Sequence, residues 1–177
     1  VPSLSKNLTV TRQFLLWATP TDMKYFLPGN FPCWFIEDPK LGLFYGFPGL
    51  DENKFGGPTG IKVAHHQAGE KWDPDMTQRD VPAAAEEVIR HILKRYIPEA
   101  GVSITAAKQC LYTYSPDANF IVDHLAEADG NVVVACGFSG HGFKFASVVG
   151  EILADLAIEG RTSLPIGFLS LNRFLAK

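Results

Sequence analysis

The stretch Gly137-Phe-Ser-Gly-His-Gly-Phe-Lys-Phe145 limits the fold more than any other part of this chain. It joins an apolar run, Val132 to Ala135, to a helical pattern, and so reads as a strand-to-helix turn. Glycines at 137, 140 and 142 permit sharp backbone bends and let a ligand approach where a Cβ would interfere. The first turn of a helix also leaves N–H donors without intrahelical partners, which suits such a turn to an anion. Lys144 puts a cation at the helix end where the macrodipole disfavours one, and an anion lying between the two would resolve the conflict. A glycine-rich turn beside a solvated lysine fits the same residues, and both readings stand at this point.

Upstream, short apolar or alternating runs at Leu8 to Ala18, Cys33 to Glu37, Gly42 to Phe47, Gly60 to Gln67 and Gln109 to Tyr114 predict strands of a largely antiparallel sheet. Turn signals separate them at Leu27-Pro-Gly-Asn30, Asp38-Pro39, Pro48-Gly49 and Gly56-Gly-Pro58. Two helices are predicted. Asp80 is the candidate cap of one over 81–97, whose apolar positions Val81, Ala85, Val88, Ile89, Ile92, Leu93 and Tyr96 recur at spacings of three and four. The other runs from about Gly142 to Glu159, with Val148, Val149, Ile152, Leu153, Leu156 and Ala157 inward and Gly160 as its stop.

Gly140-His-Gly-Phe-Lys-Phe145 is not read as a dinucleotide fingerprint. Its sixth position is Phe, and only a short tail, Ser163 to Lys177, follows the helix, with no second parallel strand ending in an acidic residue. Composition excludes other classes. With 46% hydrophobic residues in 177, the chain has enough apolar side chains for a core. A net charge of −3 with no basic block argues against nucleic acid as a partner. No apolar run reaches membrane-spanning length, and no cationic, apolar leader opens the chain, so a soluble cytoplasmic protein is expected. The odd cysteines Cys33, Cys110 and Cys136 lack CxxC spacing, which predicts reduced thiols and no metal site. The first residue is Val1, so the chain is read as a piece of a longer polypeptide or as one that has lost its start.

In Ile61-Lys-Val-Ala-His-His-Gln67, alternation puts Lys62, Ala64 and His66 on one face and Val63 and His65 on the other. Lys62 and His66 could then line one cavity, although a solvent-exposed face is the more ordinary reading of that composition. The adjacent histidines lack a third ligand at metal spacing. The same rule sets Tyr45 beside Leu43 and Phe47. Cys110 lies within an apolar strand pattern, where a buried thiol acting as a small hydrophobe is the ordinary case and Lys108 favours a reactive thiolate only modestly.

Taken together, Cys110-Leu-Tyr-Thr-Tyr-Ser-Pro-Asp117, Phe120-Ile-Val-Asp123, Asn131-Val-Val-Val-Ala135 and Gly137 to Phe145 resemble the C-terminal part of the monomeric sarcosine oxidase and N-methyltryptophan oxidase family, which also includes fructosyl amino acid oxidases and pipecolate oxidase. Phe44-Tyr-Gly-Phe-Pro48, Gly60-Ile-Lys-Val-Ala-His-His66 and Ser170-Leu-Asn-Arg173 resemble it too, and in the same order. The resemblance implies oxidation of the C–N bond of a secondary amine amino acid by hydride transfer to FAD, with oxygen reduced to hydrogen peroxide. It implies that Cys110 holds FAD through a thioether, that Lys144 binds the substrate carboxylate and that Lys62 activates oxygen. Tyr45 and His66 are the implied lining of the substrate cavity. Tyr112, Gly137, Phe138, Gly140, His141, Gly142 and Lys144 are the implied cofactor-binding set, the glycine turn stabilising negative charge on the reduced ring.

The implied fold is α+β: a mainly antiparallel substrate-binding sheet with flanking helices over residues 1–108, then the last strand and helix of a Rossmann-like FAD-binding region over 109–177. It is incomplete relative to the family, whose members open with a βαβ fingerprint unit and an arginine-bearing segment that are absent here. The missing FAD-binding half is then a required partner, in the same chain or another, and this chain alone is expected to be inactive. His65 stands where the best-known members carry an aromatic, which leaves the amine substrate open. The alternative is a non-catalytic module that keeps the fold and binds a partner chain or a small carboxylate.

Overall fold

The computed structural model describes residues 1–66, 69–101 and 103–174. Along the chain run a one-turn helix α1 (Pro2–Ser5), strands β1 (Thr9–Thr19), β2 (Trp34–Asp38) and β3 (Gly42–Phe47), a one-turn helix α2 (Glu52–Phe55), strand β4 (Ile61–His65) and helix α3 (Ala83–Tyr96). Then follow β5 (Ser103–Tyr114), β6 (Ile121–His124), β7 (Val133–Cys136) and helix α4 (Ala146–Glu159). The contacts divide these into two compact units: Arg12–Glu70 with Asp75–Cys110, and Val1–Thr11 with Lys71–Pro74 and Leu111–Lys177.

A five-stranded sheet has the order β2-β3-β4-β1-β5. The β2·β3, β3·β4 and β4·β1 pairs are antiparallel, as the short runs and strong turns between them predict. In the first-named unit, one sheet face carries Leu16, Ala18, Phe44, Ile61 and Val63 into a core with Ile89, Ile92 and Leu93 of α3. These side chains are 0–2% exposed, and burying each of the larger ones, Ala18 excepted, contributes roughly 1.5–3 kcal/mol. The β2–β3 hairpin is tied to α3 through the buried Asp38. Its carboxylate accepts the Lys40 and Leu41 N–H groups and the Tyr96 hydroxyl at 2.9, 3.0 and 2.9 Å, and it pairs with Arg95.

Helix α3 begins two residues later than 81, with Pro82 rather than Asp80 at its N-cap and no side-chain cap. The residue before a proline is disfavoured in helical geometry, so Val81 cannot open the helix and Asp80 is left outside it. Strand β5 starts at Ser103, earlier than the apolar pattern indicated, because Ile104 is the one large apolar side chain in its first half, among Ser103, Thr105, Ala106, Ala107 and Lys108. The exposed pair Ala107 and Lys108 interrupts its alternation. Gln67, the expected end of β4, lies outside the described residues, and the strand closes at His65.

In the second-named unit, β6 and β7 form an antiparallel ribbon. Phe120 and Val122 pack with Ile152 and Leu156 of α4 and with Leu169. The helix expected from Gly142 is a 3-10 turn over Phe143–Phe145 followed by α4 from Ala146, since Phe145 at φ −102° and ψ 5° leaves α-helical geometry. Gly160 closes α4 in the left-handed conformation, as predicted, while Ala157 faces outward rather than inward. Among the described residues no helix is long and apolar enough to cross a membrane.

Candidate functional site

The face of the sheet turned away from α3 is aromatic and basic. Lys62 pairs across the sheet with Trp17 on β1 and Phe47 on β3, and its ammonium lies 5.8 and 5.5 Å from their ring centres. The Tyr45 ring meets Phe47 and His66 edge-on at 5.9 and 6.0 Å and lies 6.1 Å from Phe35. His65 points to the opposite side and stacks on Phe44 at 4.2 Å. Alternation thus separates the two histidines, as their strand positions predict.

From β5, Lys108 brings a second ammonium to 5.8 Å from the Trp17 ring. Cys110, two residues on, lies within the field of Lys62. Burial pushes its thiol up, and the Lys62 charge pulls it down by less. The resting group is therefore a protonated thiol whose ionisation the nearby ammonium assists. Lys62, Tyr45, His66 and Cys110 are thus neighbours within one unit.

The glycine turn belongs to the other unit. Gly137, Ser139 and Gly140 all have positive φ, at 65°, 51° and 79°. The left-handed Ser139, costly for a residue with a Cβ, is held by its N–H to the Thr113 carbonyl at 2.9 Å and by its hydroxyl to the Gly137 carbonyl at 3.0 Å. A Cβ at Gly140 would lie 2.4 Å from the Tyr112 ring, and one at Gly142 would lie 2.5 Å from the Phe138 ring. Both glycines are therefore already required by the turn's own aromatic neighbours.

Tyr112, Gly137, Phe138, Gly140 and Gly142 line one concavity of about 620 Å³, together with Cys136 and Phe143. Neither His141 nor Lys144 is part of that lining. His141 borders a separate apolar hollow of about 340 Å³ with Phe120 and Phe145. Lys144 is exposed, precedes α4 and donates to the His141 carbonyl at 3.2 Å. That contact answers part of the charge conflict noted at the helix start.

A further cluster beside the turn carries no local sequence signal. Asp117 and Arg173 stand 56 residues apart and pair in two-pronged fashion at 2.9 and 3.1 Å. Both occur in the motifs quoted above, but nothing in either segment points to the other. The Arg173 guanidinium holds the Asp117 carboxyl far below the usual carboxylate range. Cys33, Cys110 and Cys136 are unpaired. Among the described residues no group of three or more His, Cys, Asp or Glu is arranged to hold a metal.

An antiparallel sheet backed by a helix, followed by a ribbon, a glycine turn and a helix, is a fold shared with solved amine oxidases and dehydrogenases. Fructosamine oxidase from Aspergillus fumigatus (Amadoriase II) superposes with a TM-score of 0.73 at 23% identity, over 96% of this chain and 41% of that one. L-proline dehydrogenase from P. horikoshii does so with 0.71 at 21% identity, over 95% and 40%. Residues 5–156 match the family described as DAO, FAD dependent oxidoreductase, and the chain belongs to that family. A monomeric sarcosine oxidase from Bacillus sp. is 41% identical over 92% of this chain and 40% of its own length. An N-methyl-L-tryptophan oxidase from Yersinia pestis is 33% identical over 98% and 45%. The chain therefore spans less than half the length of these curated relatives.

Proposed function

We propose that this chain is the C-terminal portion of a flavoprotein oxidase acting on the C–N bond of a secondary amine amino acid of the sarcosine or N-alkyl type. The observation that carries this reading is the sheet face gathering Lys62, Tyr45 and His66, with the Cys110 thiol inside the Lys62 field. When bound, FAD would supply the hydride acceptor, with oxygen taking the electrons as hydrogen peroxide and water hydrolysing the imine product.

The residues suit that group. A half-buried thiol beside a fixed ammonium fits a covalent anchor, and a concavity walled by Tyr112, Phe138 and glycine backbone fits the flat face of a flavin. Cys110 would hold that group through a thioether, the S–H hydrogen and one C–H hydrogen leaving with their electrons to oxygen as hydrogen peroxide. Lys62 stabilises negative charge as it develops on oxygen. Lys144 pairs with the substrate carboxylate, and Tyr45 and His66 orient the substrate.

Tyr112, Gly137, Phe138, Gly140 and Gly142 face the cofactor, while His141 and Lys144, outside that concavity, serve it from the flank of the turn, with β7 and α4 as the last strand and helix of its Rossmann-like region. Residues 1–108 serve the substrate and 109–177 serve FAD. The remaining FAD-binding half is supplied by the same or another polypeptide, in a cytoplasmic setting, and this chain alone does not turn over. The internal packing of Gly140 and Gly142 is what a non-catalytic module would also need, and the two readings separate cleanly. Acid precipitation of the full-length protein is expected to leave yellow flavin in the pellet, and Cys110→Ala to release it to the supernatant; a colourless full-length protein refutes the oxidase.

A further inference from the structure

Every N–H of the Arg173 guanidinium has an acceptor. Nε and Nη2 donate to the two Asp117 carboxylate oxygens at 2.9 and 3.1 Å, and Nη2 donates also to the Asn119 carbonyl at 3.0 Å. Nη1 donates to the Leu169 and Ser170 carbonyls at 2.8 and 2.9 Å. Five donors in a rigid fork are thus satisfied by four separate groups, the Asp117 carboxylate and three backbone carbonyls, from two segments, a pattern that lysine cannot reproduce.

The loop so clamped, Ser115 to Asn119, touches the glycine turn at two points. The Ser115 N–H donates to the Ser139 hydroxyl at 3.4 Å, and that hydroxyl donates to the Gly137 carbonyl. The Ala118 carbonyl lies 3.2 Å from His141 Nε2. A carbonyl only accepts, so this contact puts the His141 proton on Nε2. Ala118 itself has φ 58°, a conformation that an alanine keeps only where its surroundings hold it. Asp117 supports the same loop from inside by accepting the Asn119 N–H at 3.0 Å.

We propose that Arg173 is a positioning residue for the glycine turn: by clamping the 115–119 loop to the C-terminal segment, it fixes the backbone of residues 137–140 and the tautomer and orientation of His141. The contact of that turn with FAD rests on the function proposed above, whereas the clamp itself does not. Arg173 touches no reacting atom and acts only through Asp117, Asn119, Ser115 and Ala118.

The test uses the full-length protein with ¹⁵N-labelled glycine and histidine. Arg173→Lys keeps the charge but not the fork. It is expected to shift the Gly137 and Gly140 amide resonances and to remove the protonated Nε2 signature of His141, while Gly46 and Gly49 in the other unit stay put. Guanidinium added to Arg173→Ala is expected to restore the wild-type resonances. Unmoved Gly137, Gly140 and His141 signals, or shifts spread equally over all glycines, overturn the proposal. Should Arg173→Lys not fold, Asp117→Asn is read by the same resonances against the same criterion. In flavin-loaded protein the lysine variant is also expected to show a more negative flavin potential, since a loosened turn stabilises the reduced ring less. Protein without flavin would defeat the oxidase reading and leave the resonance test of the clamp intact.

Discussion

Gly140 is dictated from within its own unit. Its φ of 79° costs a residue with a Cβ about 1–2 kcal/mol, and forcing that Cβ against the Tyr112 ring adds about 1–3 kcal/mol. Gly140→Ala is therefore expected to destabilise the full-length protein in urea by both amounts. Combining it with Tyr112→Ala is expected to recover the packing part, so strictly additive losses would show that the ring is not the obstacle. The two candidate lysines differ in the same concrete way. Lys62 lies between Trp17 and Phe47 in the Cys110 neighbourhood, and Lys62→Met is predicted to slow oxygen consumption while anaerobic flavin reduction by substrate persists. Lys144 is exposed in a 3-10 turn, and Lys144→Met is predicted to raise KM for a carboxylate-bearing amine more than it lowers kcat. An exchanged pattern of effects would reverse the two assignments.

Between elements, carboxylates do much of the joining, Asp38 and Asp117 among them. Asp38 ties the β2–β3 hairpin to α3, and its carboxyl is held low chiefly by the Lys40 N–H and then by the Tyr96 hydroxyl. Asp117 ties the loop after β5 to the C-terminal turns and is held low chiefly by Arg173. Both lie below the ordinary 3.8, so each contributes stability that is whole above that value and is lost as pH falls through the lower folded-state value. Unfolding midpoints are expected to be flat from roughly pH 7 to 5 and to drop below about pH 4, less steeply in Asp117→Asn. A midpoint that falls equally in the variant would remove Asp117 from the account. Ile92→Ala, which empties a fully buried site between α3 and the sheet, is expected to cost about 2–5 kcal/mol.

The apolar spacing in α3 made that helix and its buried positions legible in the sequence, but the start at Ala83 was not, because Pro82 overrides the capping signal of Asp80. The mostly small residues of Ser103 to Ala107, with Ile104 the one large apolar side chain, hid the first half of β5, which takes its place in the sheet beside β1. The lysine, tyrosine and second histidine of the aromatic face were readable from period-two alternation. The Asp117–Arg173 clamp was not, since hydrogen-bond partners 56 residues apart leave no periodic trace.

At the scale of the whole chain, the sheet order β2-β3-β4-β1-β5 returns the first strand to a place between the fourth and the fifth, an arrangement that no local pattern announces. Strands β1 and β5 each contribute residues to both compact units, so the chain is not a simple succession of two segments. It belongs to the FAD dependent oxidoreductase family and spans 40–45% of the two curated relatives compared above. The central proposal is that this part of the protein holds the flavin covalently through the Cys110 thiol, which lies in the field of Lys62. Mass spectrometry of the proteolytic peptide bearing Cys110, taken from full-length protein as purified, tests it most directly. The account predicts a flavin adduct on that sulfur; a freely alkylated Cys110 in a protein that nevertheless carries bound flavin would contradict it.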